Sequence, residues 1–283
     1  MERAIVVGVD GSVRSRVAAD WAAREALRRG LLLQVVHVSE RSGTGPSSTG
    51  PSGPCSGLGE PLPGVAEREL MSRPSELTVH EVRVDGEPAA RLLALGASAE
   101  LLVLGMRGAG GCAGQAVGSV AGAVAERSAR PVVLVPGGPA CAGTGWRTDK
   151  VALGVDARRP DEAAIGFAFD RASRANARLR VVHAWTMPEP GGSALPFAVR
   201  CRDRAAREDE EMRFLSDALR PWHEKYPRVQ VLEDVVHFGA AEALVRASGR
   251  AELLVAGRRE NRLGSALKGL VEQAGCPVAV VPG

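Results

Sequence analysis

Ile5-Val6-Val7-Gly8-Val9-Asp10 lies near the start of the chain, and the same form returns as Val151-Ala152-Leu153-Gly154-Val155-Asp156. The offset is 146 residues, the difference between positions 10 and 156. A short apolar run that ends in an aspartate is typical of a buried strand leading into a polar loop. A chain of 283 residues has room for two domains. These two stretches predict that both domains begin with the same strand.

Three further stretches repeat in the same order along the chain. They are 35–38, which contains His37 and returns as 181–184 with His183; 99–105, which returns as 251–257; and 130–136, which returns as 276–282. Four matched segments in one order indicate a duplicated unit. We therefore predict a first domain over 1–137, a Gly-rich linker over 138–148, and a second domain over 149–283.

Short continuous apolar runs alternate with helical patterns in both halves. The predicted strands are 4–9, 32–38, 101–104 and 132–135 in the first copy, and 150–155, 179–184, 229–235, 252–256 and 278–281 in the second. Helices are predicted over 14–29 and over 88–98, where Pro88 suits a first helical turn. Continuous apolar runs indicate strands that are buried on both faces, as is typical of parallel sheets. The fold class predicted is α/β, with two tandem doubly wound parallel-sheet domains.

The middles of the two copies differ. Residues 41–64 are dominated by Gly, Ser and Pro, which predicts a mobile loop because such a segment has little apolar surface to bury. The second copy instead carries a charged stretch, 202–220, that predicts a long surface helix with Glu208–Glu211 on a solvated face. His37 and His183 follow apolar strands and are interpreted as packed or loop-bonded residues rather than catalytic ones.

Composition excludes several classes of function. The net charge is only +3, and no basic run is interleaved with aromatic residues, so no nucleic-acid partner is expected. No apolar stretch approaches the roughly 18–20 residues that span a bilayer, so no membrane partner is expected either. The five cysteines are scattered and lack CxxC spacing, which favours reduced thiols over disulfides or zinc. With no secretory pattern at the N-terminus, the expected location is cytoplasmic.

A glycine-rich loop carries the chemistry of the first copy. Leu104-Gly105-Met106-Arg107-Gly108 ends a strand, and Gly118-Ser119-Val120 opens a helix, which gives the spacing Gly-x2-Gly-x9-Gly-Ser. Glycines let phosphate oxygens approach the backbone, and a helix N-terminus offers free N–H groups to an anion. Ligands of open α/β sheets bind beyond the carboxyl ends of strands. The loop lacks Gly-Lys-[Ser/Thr] and is therefore not of the P-loop type.

This spacing, with Gly8-Val9-Asp10-Gly11-Ser12 and Pro131-Val132-Val133-Leu134-Val135-Pro136, resembles the universal stress protein family in its tandem-domain form, over essentially the whole chain. The resemblance implies a Rossmann-like fold of the adenine nucleotide alpha hydrolase type and a site for ATP. Whether Mg²⁺ arrives with the nucleotide stays open. The residues that the resemblance implies are Asp10 against the adenosine, Val38 offering its backbone to adenine, Leu104, Gly105 and Met106 on the ribose side, and Arg107, Gly108, Gly118, Ser119 and Val120 around the phosphates.

The resemblance also implies an assembly. In that family the final strands pair antiparallel between subunits, so 132–135 and 278–281 are expected to pair within one chain as an intramolecular pseudo-dimer. Whether two whole chains also associate as a homodimer stays open.

The second copy departs from the loop pattern. Glu260 replaces the second glycine, and the stretch to the closing Gly-Ser is shorter by six residues. A carboxylate repels phosphates, and a shorter loop can converge fewer N–H groups on them. The expectation is a degenerate second site built from Asp156, Ala184, Gly257, Gly264 and Ser265.

The leading hypothesis is a stress-response regulator that binds ATP, or a related adenine nucleotide, in its first domain. Two alternatives stay open. A slow ATPase ranks lower because neither a general base nor a metal-ligand cluster is evident near the loop. A nucleotide-free interaction scaffold is suggested by the degenerate second site and by the charged helix predicted over 202–220.

Overall fold

The structure is a computed structural model that describes residues 3–39, 77–108, 117–137, 150–187, 197–260 and 262–283, with the backbone alone at 197–203. The chain divides into two compact units, Met1–Ala142 and Gly143–Gly283. The loop predicted over 41–64 and the linker predicted over 138–148 lie outside the described residues. Within the described part, no helix is both long enough and apolar enough to cross a bilayer.

Each unit alternates strands and helices in the order that the sequence predicts. The first unit contains β1 (Ala4–Val9), α1 (Val13–Arg29), β2 (Leu32–Ser39), β3 (Val79–Asp85), α2 (Pro88–Gly96), β4 (Leu101–Gly105), α3 (Ser119–Arg127) and β5 (Val132–Val135). The second contains β6 (Lys150–Gly154), α4 (Glu162–Ala175), β7 (Arg178–Trp185), α5 (Phe197–Lys225), β8 (Val231–His237), α6 (Ala240–Ser248), β9 (Leu253–Arg258), α7 (Ser265–Gln273) and β10 (Val278–Pro282).

The described strands of each unit form a parallel sheet. The order is β3-β2-β1-β4-β5 in the first unit and β10-β9-β6-β7-β8 in the second. The chain leaves β1 toward β2 and later returns to the opposite side of β1 at β4, so the connections diverge at the β1–β4 pair. This is the point at which open α/β sheets form a crevice. The doubly wound α/β class predicted from the sequence is confirmed.

The central strands form the core because their side chains are apolar on both faces. Ile5, Leu101 and Val133 in the first unit, and Leu153 and Val255 in the second, are fully buried. Burying a side chain of this size contributes about 1.5–3 kcal/mol relative to leaving it in water.

Local signals begin and end the helices. Ser12 caps α1 by accepting the Ser15 N–H, and α1 ends at Gly30, whose φ of 62° is left-handed. Glu87 caps α2 by accepting two backbone N–H groups, and Pro88 occupies the first helical turn as predicted. These caps set the points at which the chain turns from a helix into the next strand.

Two elements differ from the sequence prediction. The edge strand β3 was absent from the predicted first-copy strands, since only one of its sides carries a regular series of apolar residues, Val82 and Val84 among them. Helix α5 extends beyond the predicted 202–220 at both ends and passes through Pro221.

The prediction that Glu208–Glu211 form a solvated face is wrong at its last residue. Glu211 is 2% exposed, accepts a hydrogen bond from Arg158 Nε at 3.1 Å, and forms an ion pair with Arg207 Nε at 3.0 Å. Its other contact is His183 Nε2, at 3.0 Å. The contacts with Arg158 and His183 attach α5 to the turn after β6 and to β7, and His183 is a packed residue, as predicted.

The charges of this cluster stabilise one another. Burial raises the pKa of Glu211, but the hydrogen bonds from Arg158 and His183 outweigh burial and leave that pKa below its ordinary value. The hydrogen bond to Glu211 in turn raises the pKa of Arg158. Glu211 is therefore an ionised carboxylate near neutral pH and the central acceptor of the cluster.

Candidate functional site

A cavity of about 460 Å³ opens at the carboxyl ends of β1, β2 and β4 in the first unit. It lies at the point where the strand connections diverge, as expected for a ligand site in this class of fold. Nine of the ten residues predicted for the first site line it: Asp10, Val38, Leu104, Gly105, Arg107, Gly108, Gly118, Ser119 and Val120. The tenth, Met106, is buried at 5% exposure and lies behind the wall.

The end of β1 forms the floor of the cavity. A Cβ at Gly8 would lie 2.5 Å from the Leu104 Cδ2 atom, so glycine permits β4 to pack closely here. Asp10 follows β1, and its Oδ1 accepts the Ser12 N–H at 3.0 Å. Its Oδ2 lies against the loop, since a Cβ at Gly108 would approach that oxygen to 2.5 Å. The absence of a Cβ at Gly108 therefore allows the Asp10 carboxylate to pack against the loop.

The far wall is the N-terminus of α3. Gly118 is the N-cap residue, with φ −70° and ψ 154°, and no side chain caps the helix. The Gly118 N–H donates to the Met106 carbonyl at 2.7 Å and so joins the two described ends of the loop. N–H groups of the first helical turn, at Ser119 and Val120, lack an intrahelical acceptor and carry the positive end of the helix dipole. This wall can bind an anion.

The opposite wall is apolar and was not identified in the sequence. Val36, Pro88 and Leu92 line it, from β2 and α2. Val36 is fully buried and Leu92 is 4% exposed. Both belong to ordinary periodic apolar runs, so no local signal separates a cavity wall from a core position. Val38 continues the Val36 side of β2, because alternate residues of a strand share a face.

His37 takes a structural position beside this wall. Its Nδ1 lies 3.0 Å from the Val9 carbonyl oxygen, which ties the end of β2 to the end of β1. His183 makes the equivalent contact to Val155 at 3.1 Å. The interpretation of both histidines as loop-bonded residues is confirmed.

Side chains of the second unit occupy the corresponding strand ends. Arg259 Nη1 lies 3.2 Å from Asp156 Oδ2, so the aspartate that corresponds to Asp10 is ion-paired. A Cβ at Gly257 would lie 2.1 Å from Asp161 Oδ2. Glu260 stands where the first unit has Gly108, and it adopts a left-handed φ of 59°. The loop of the second unit is thus closed around its own charges.

The remaining predicted residues of the second site keep their backbone positions. Gly264 is the N-cap of α7, again without a side-chain cap, and Ser265 begins the helix. Ala184 is half-buried in β7. The anion-binding turn is therefore retained in form, whereas the aspartate and the loop beside it have changed. No group of three metal-binding side chains occurs among the residues that the structure describes.

Together these features define a protein of two tandem doubly wound α/β units, one of which keeps an open cleft with an anion-binding wall. The family model described as universal stress protein family matches residues 1–136 and 147–282. The chain belongs to the universal stress protein family.

Relatives in sequence and in structure agree with this assignment. The chain is 32% identical to universal stress protein Rv2005c of Mycobacterium tuberculosis, over 99% of this chain and 96% of the relative. It is 31% identical to universal stress protein Rv2623 of the same organism, over 90% and 86% of the two chains. A solved universal stress protein from Archaeoglobus fulgidus shares the fold, with a TM-score of 0.62 and 15% identity, over 99% of this chain and 96% of that one.

Proposed function

We propose that the first unit binds ATP, or a related adenine nucleotide, and that the chain acts in the stress response as a nucleotide-dependent regulator. The observation that carries the proposal is the two-sided chemistry of the 460 Å³ cavity, which is apolar on the β2–α2 side and rich in backbone N–H groups on the β4–α3 side. A nucleotide has the same division between its base and its phosphates.

The apolar side suits a flat base. Val36, Leu92 and Leu104 provide surfaces from β2, α2 and β4. Val38 lines the cavity near the end of β2, where its backbone would meet the polar edge of adenine. Apolar walls with a few polar groups that fix orientation are the common design of small-molecule sites.

The amide side suits phosphates. The uncapped start of α3 directs the N–H groups of Ser119 and Val120 toward an anion, and the glycines at 105, 108 and 118 let phosphate oxygens approach the backbone. Arg107 lines the same side and adds a positive charge. A Mg²⁺ ion carried by the nucleotide would offset the repulsion between its phosphates and the carboxylate of Asp10.

Regulation requires that the nucleotide bind two conformations of the protein with different affinities, since equal affinity shifts no equilibrium. A nucleotide in the cavity would contact β1, β2, β4 and the start of α3 at once, and it would therefore favour the arrangement that brings these elements together.

The test is calorimetric titration of the full chain with ATP and ADP, with mass spectrometry of any ligand released on denaturation. We expect about one site per chain. Gly118→Glu should abolish binding because it places a carboxylate among the donor N–H groups. The fold should survive, since a Cβ at Gly118 has its nearest neighbours at 3.6 Å.

Gly264→Glu is the matched control, because Gly264 is the N-cap at the corresponding position of the second unit and a Cβ there meets nothing within 4 Å. It should leave the affinity for ATP unchanged. Absence of both titration heat and co-purified nucleotide would favour the scaffold alternative. Phosphate release that Gly118→Glu abolishes would instead favour the ATPase.

A further inference from the structure

A groove follows β7 and β8 on the side covered by α6. Two neighbouring cavities, of about 480 and 440 Å³, share Arg180 and Arg250 in their walls and together make up this groove. The groove runs from the start of β6 and β7 to the residue after β8, Phe238. We call it the basic groove, after the cationic residues that line it: Lys150, Arg178, Arg180, Arg246 and Arg250.

The basic groove carries more positive charge than its acidic neighbours balance. Arg180 Nε pairs with Asp234 Oδ2 at 2.9 Å, and Arg246 Nη2 pairs with Glu242 Oε1 at 2.6 Å. Lys150 and Arg250 form no ion pair with any residue in the described ranges. These two cations are therefore available to an outside anion.

The fold does not require this charge. The equivalent positions of the first unit follow from the matching strand registers and from the matching helices α2 and α6. None of these positions carries a cation, and they are Ala4, Leu32, Gln34, Ala94 and Ser98. One copy of a duplicated fold thus has a cationic groove where the other has small, apolar or neutral polar side chains. Charge that is absent from the sister copy points to a function specific to the second unit.

Apolar side chains border the same groove along β8. Leu232 is 61% exposed and Phe238 is 38% exposed, and Val236 lies between them on the groove side. Glu233, the neighbour of Leu232 in β8, faces the opposite side of the sheet and accepts a hydrogen bond from Ser216 Oγ at 2.9 Å. β8 is also the end strand of its unit among the described strands, so the backbone groups of its outer edge are not paired within that sheet.

We propose that the basic groove binds an extended acidic segment of a partner protein, which adds to β8 as a further strand. Strand addition satisfies the backbone groups of the outer edge, and alternate side chains of the segment face the groove. An acidic side chain in that series approaches Arg250, while apolar ones cover Leu232 and Phe238. Lys150, which lies two strands further in on β6, adds to the positive potential of the groove.

Two other polyanions fit the groove less well. Single-stranded nucleic acid is bound largely by stacking on open aromatic faces. The face of Phe238 is already covered by the Arg246 guanidinium, 4.3 Å from the ring centroid. Proteins bind an anionic membrane through basic residues that protrude from the surface. The cations of the basic groove instead line a depression beside a strand edge.

The experiment uses the full chain and a fluorescein-labelled nine-residue peptide of alternating Glu and Val, with binding followed by fluorescence polarisation. Binding should weaken as salt rises. The charge reversals Lys150→Glu and Arg250→Glu, made together, should lower the affinity about tenfold or more, because both free cations are lost and like charges are added.

Arg213→Glu is the control, because Arg213 is an exposed arginine of α5 in the same unit and changes the charge by the same kind of substitution. It should leave the affinity for the peptide within about twofold. Leu232→Asp should also weaken binding, since it removes the exposed apolar contact. Gly118→Glu should not affect binding, so failure here is distinguishable from failure of the nucleotide proposal.

Three results would overturn the proposal. One is equal affinity for a peptide of alternating Lys and Val. Another is equal loss of binding in the double reversal and in Arg213→Glu. The third is tighter, groove-dependent binding of oligothymidine or of phosphatidylserine vesicles that the acidic peptide fails to displace, which would assign the groove to nucleic acid or to membrane.

Discussion

The two units have similar sequences at the end of their first strand, but the first unit has an open cavity there and the second has an ion pair. In the first unit Asp10 faces Gly108, and a 460 Å³ cavity opens beside them. In the second unit Asp156 pairs with Arg259, and Asp161 lies against Gly257. Both units keep an aspartate after the first strand and an uncapped helix after the fourth. The backbone frame is therefore not sufficient for a ligand site, which also needs side chains that leave the frame open.

The charged side chains of the second unit also differ in position from those of the first unit. Where the first unit has a cleft, the second has a loop closed by its own ion pair and a long helix attached through Glu211. Its two cations without an ion pair in the described ranges, Lys150 and Arg250, lie elsewhere, in the basic groove. The first unit thus carries the proposed nucleotide site and the second carries the proposed docking surface, and the variants below test that division.

The largest effect is expected when the first loop is given the residue of the second. Gly108→Glu places a side chain where a Cβ would already lie 2.5 Å from Asp10 Oδ2, and it sets a second carboxylate beside the phosphates. We expect the affinity for ATP to fall at least about a hundredfold, or about 2.7 kcal/mol, in calorimetry.

Gly108→Ala separates the steric part of this effect from its charge. Because the crowded atom is the end of a side chain that can turn away, alanine should cost far less affinity than glutamate. Equal losses of affinity in the two variants would show that steric crowding, and not charge, distinguishes the two loops. An unchanged affinity in Gly108→Glu would contradict the proposed difference between them.

An intermediate effect is expected at Glu211, which attaches α5 to the second unit. Glu211→Gln keeps the shape of the side chain but removes the charge that Arg158, Arg207 and His183 surround. We expect a loss of about 2 kcal/mol near neutral pH, at the low end for a buried pair because both arginines are partly exposed to water. Hydrogen exchange of α5 backbone amides measures it as the free energy of opening.

The pH dependence of that loss gives a stricter check. The folded state lowers the pKa of Glu211, so its contribution is fully present above the ordinary carboxyl pKa of 4.5 and is lost as pH falls through the lower folded value. The difference between the wild-type chain and Glu211→Gln should therefore be constant from pH 7 to about pH 5 and shrink below about pH 4.5. A difference that stays constant down to pH 3 would contradict the charge of Glu211 as its cause, and no difference at any pH would mean that Glu211 acts through shape alone.

The smallest effect is expected at Glu260, the second-unit counterpart of Gly108. Its φ of 59° is a conformation that glycine adopts without strain. Glu260→Gly should stabilise the chain by about 0.5–1 kcal/mol, because the relief of strain exceeds the added entropy of the unfolded chain. Urea unfolding measures the change, and destabilisation would show that the Glu260 side chain has a structural role.

Several features of the candidate site could be predicted from the sequence, and the reasons differ by residue. Gly105, Gly108 and Gly118 are recognisable because their spacing is a local pattern that precedes a helix. Val36, Pro88 and Leu92 are not, since they look like any core or helix-start residue until α2 packs beside β2. Glu211 escaped prediction because its partners lie 53 and 28 residues away, at Arg158 and His183.

By itself the sequence determined the duplication, the α/β class and the identity of the glycine loop, because these depend on local periodicity and on patterns within a few residues of one another. Only the tertiary structure decided that the first cleft has an apolar wall, that the second loop is closed by an ion pair, and that five cations line one groove. Those outcomes depend on contacts between elements far apart in the chain, where a single carboxylate or a missing Cβ changes which surfaces can meet.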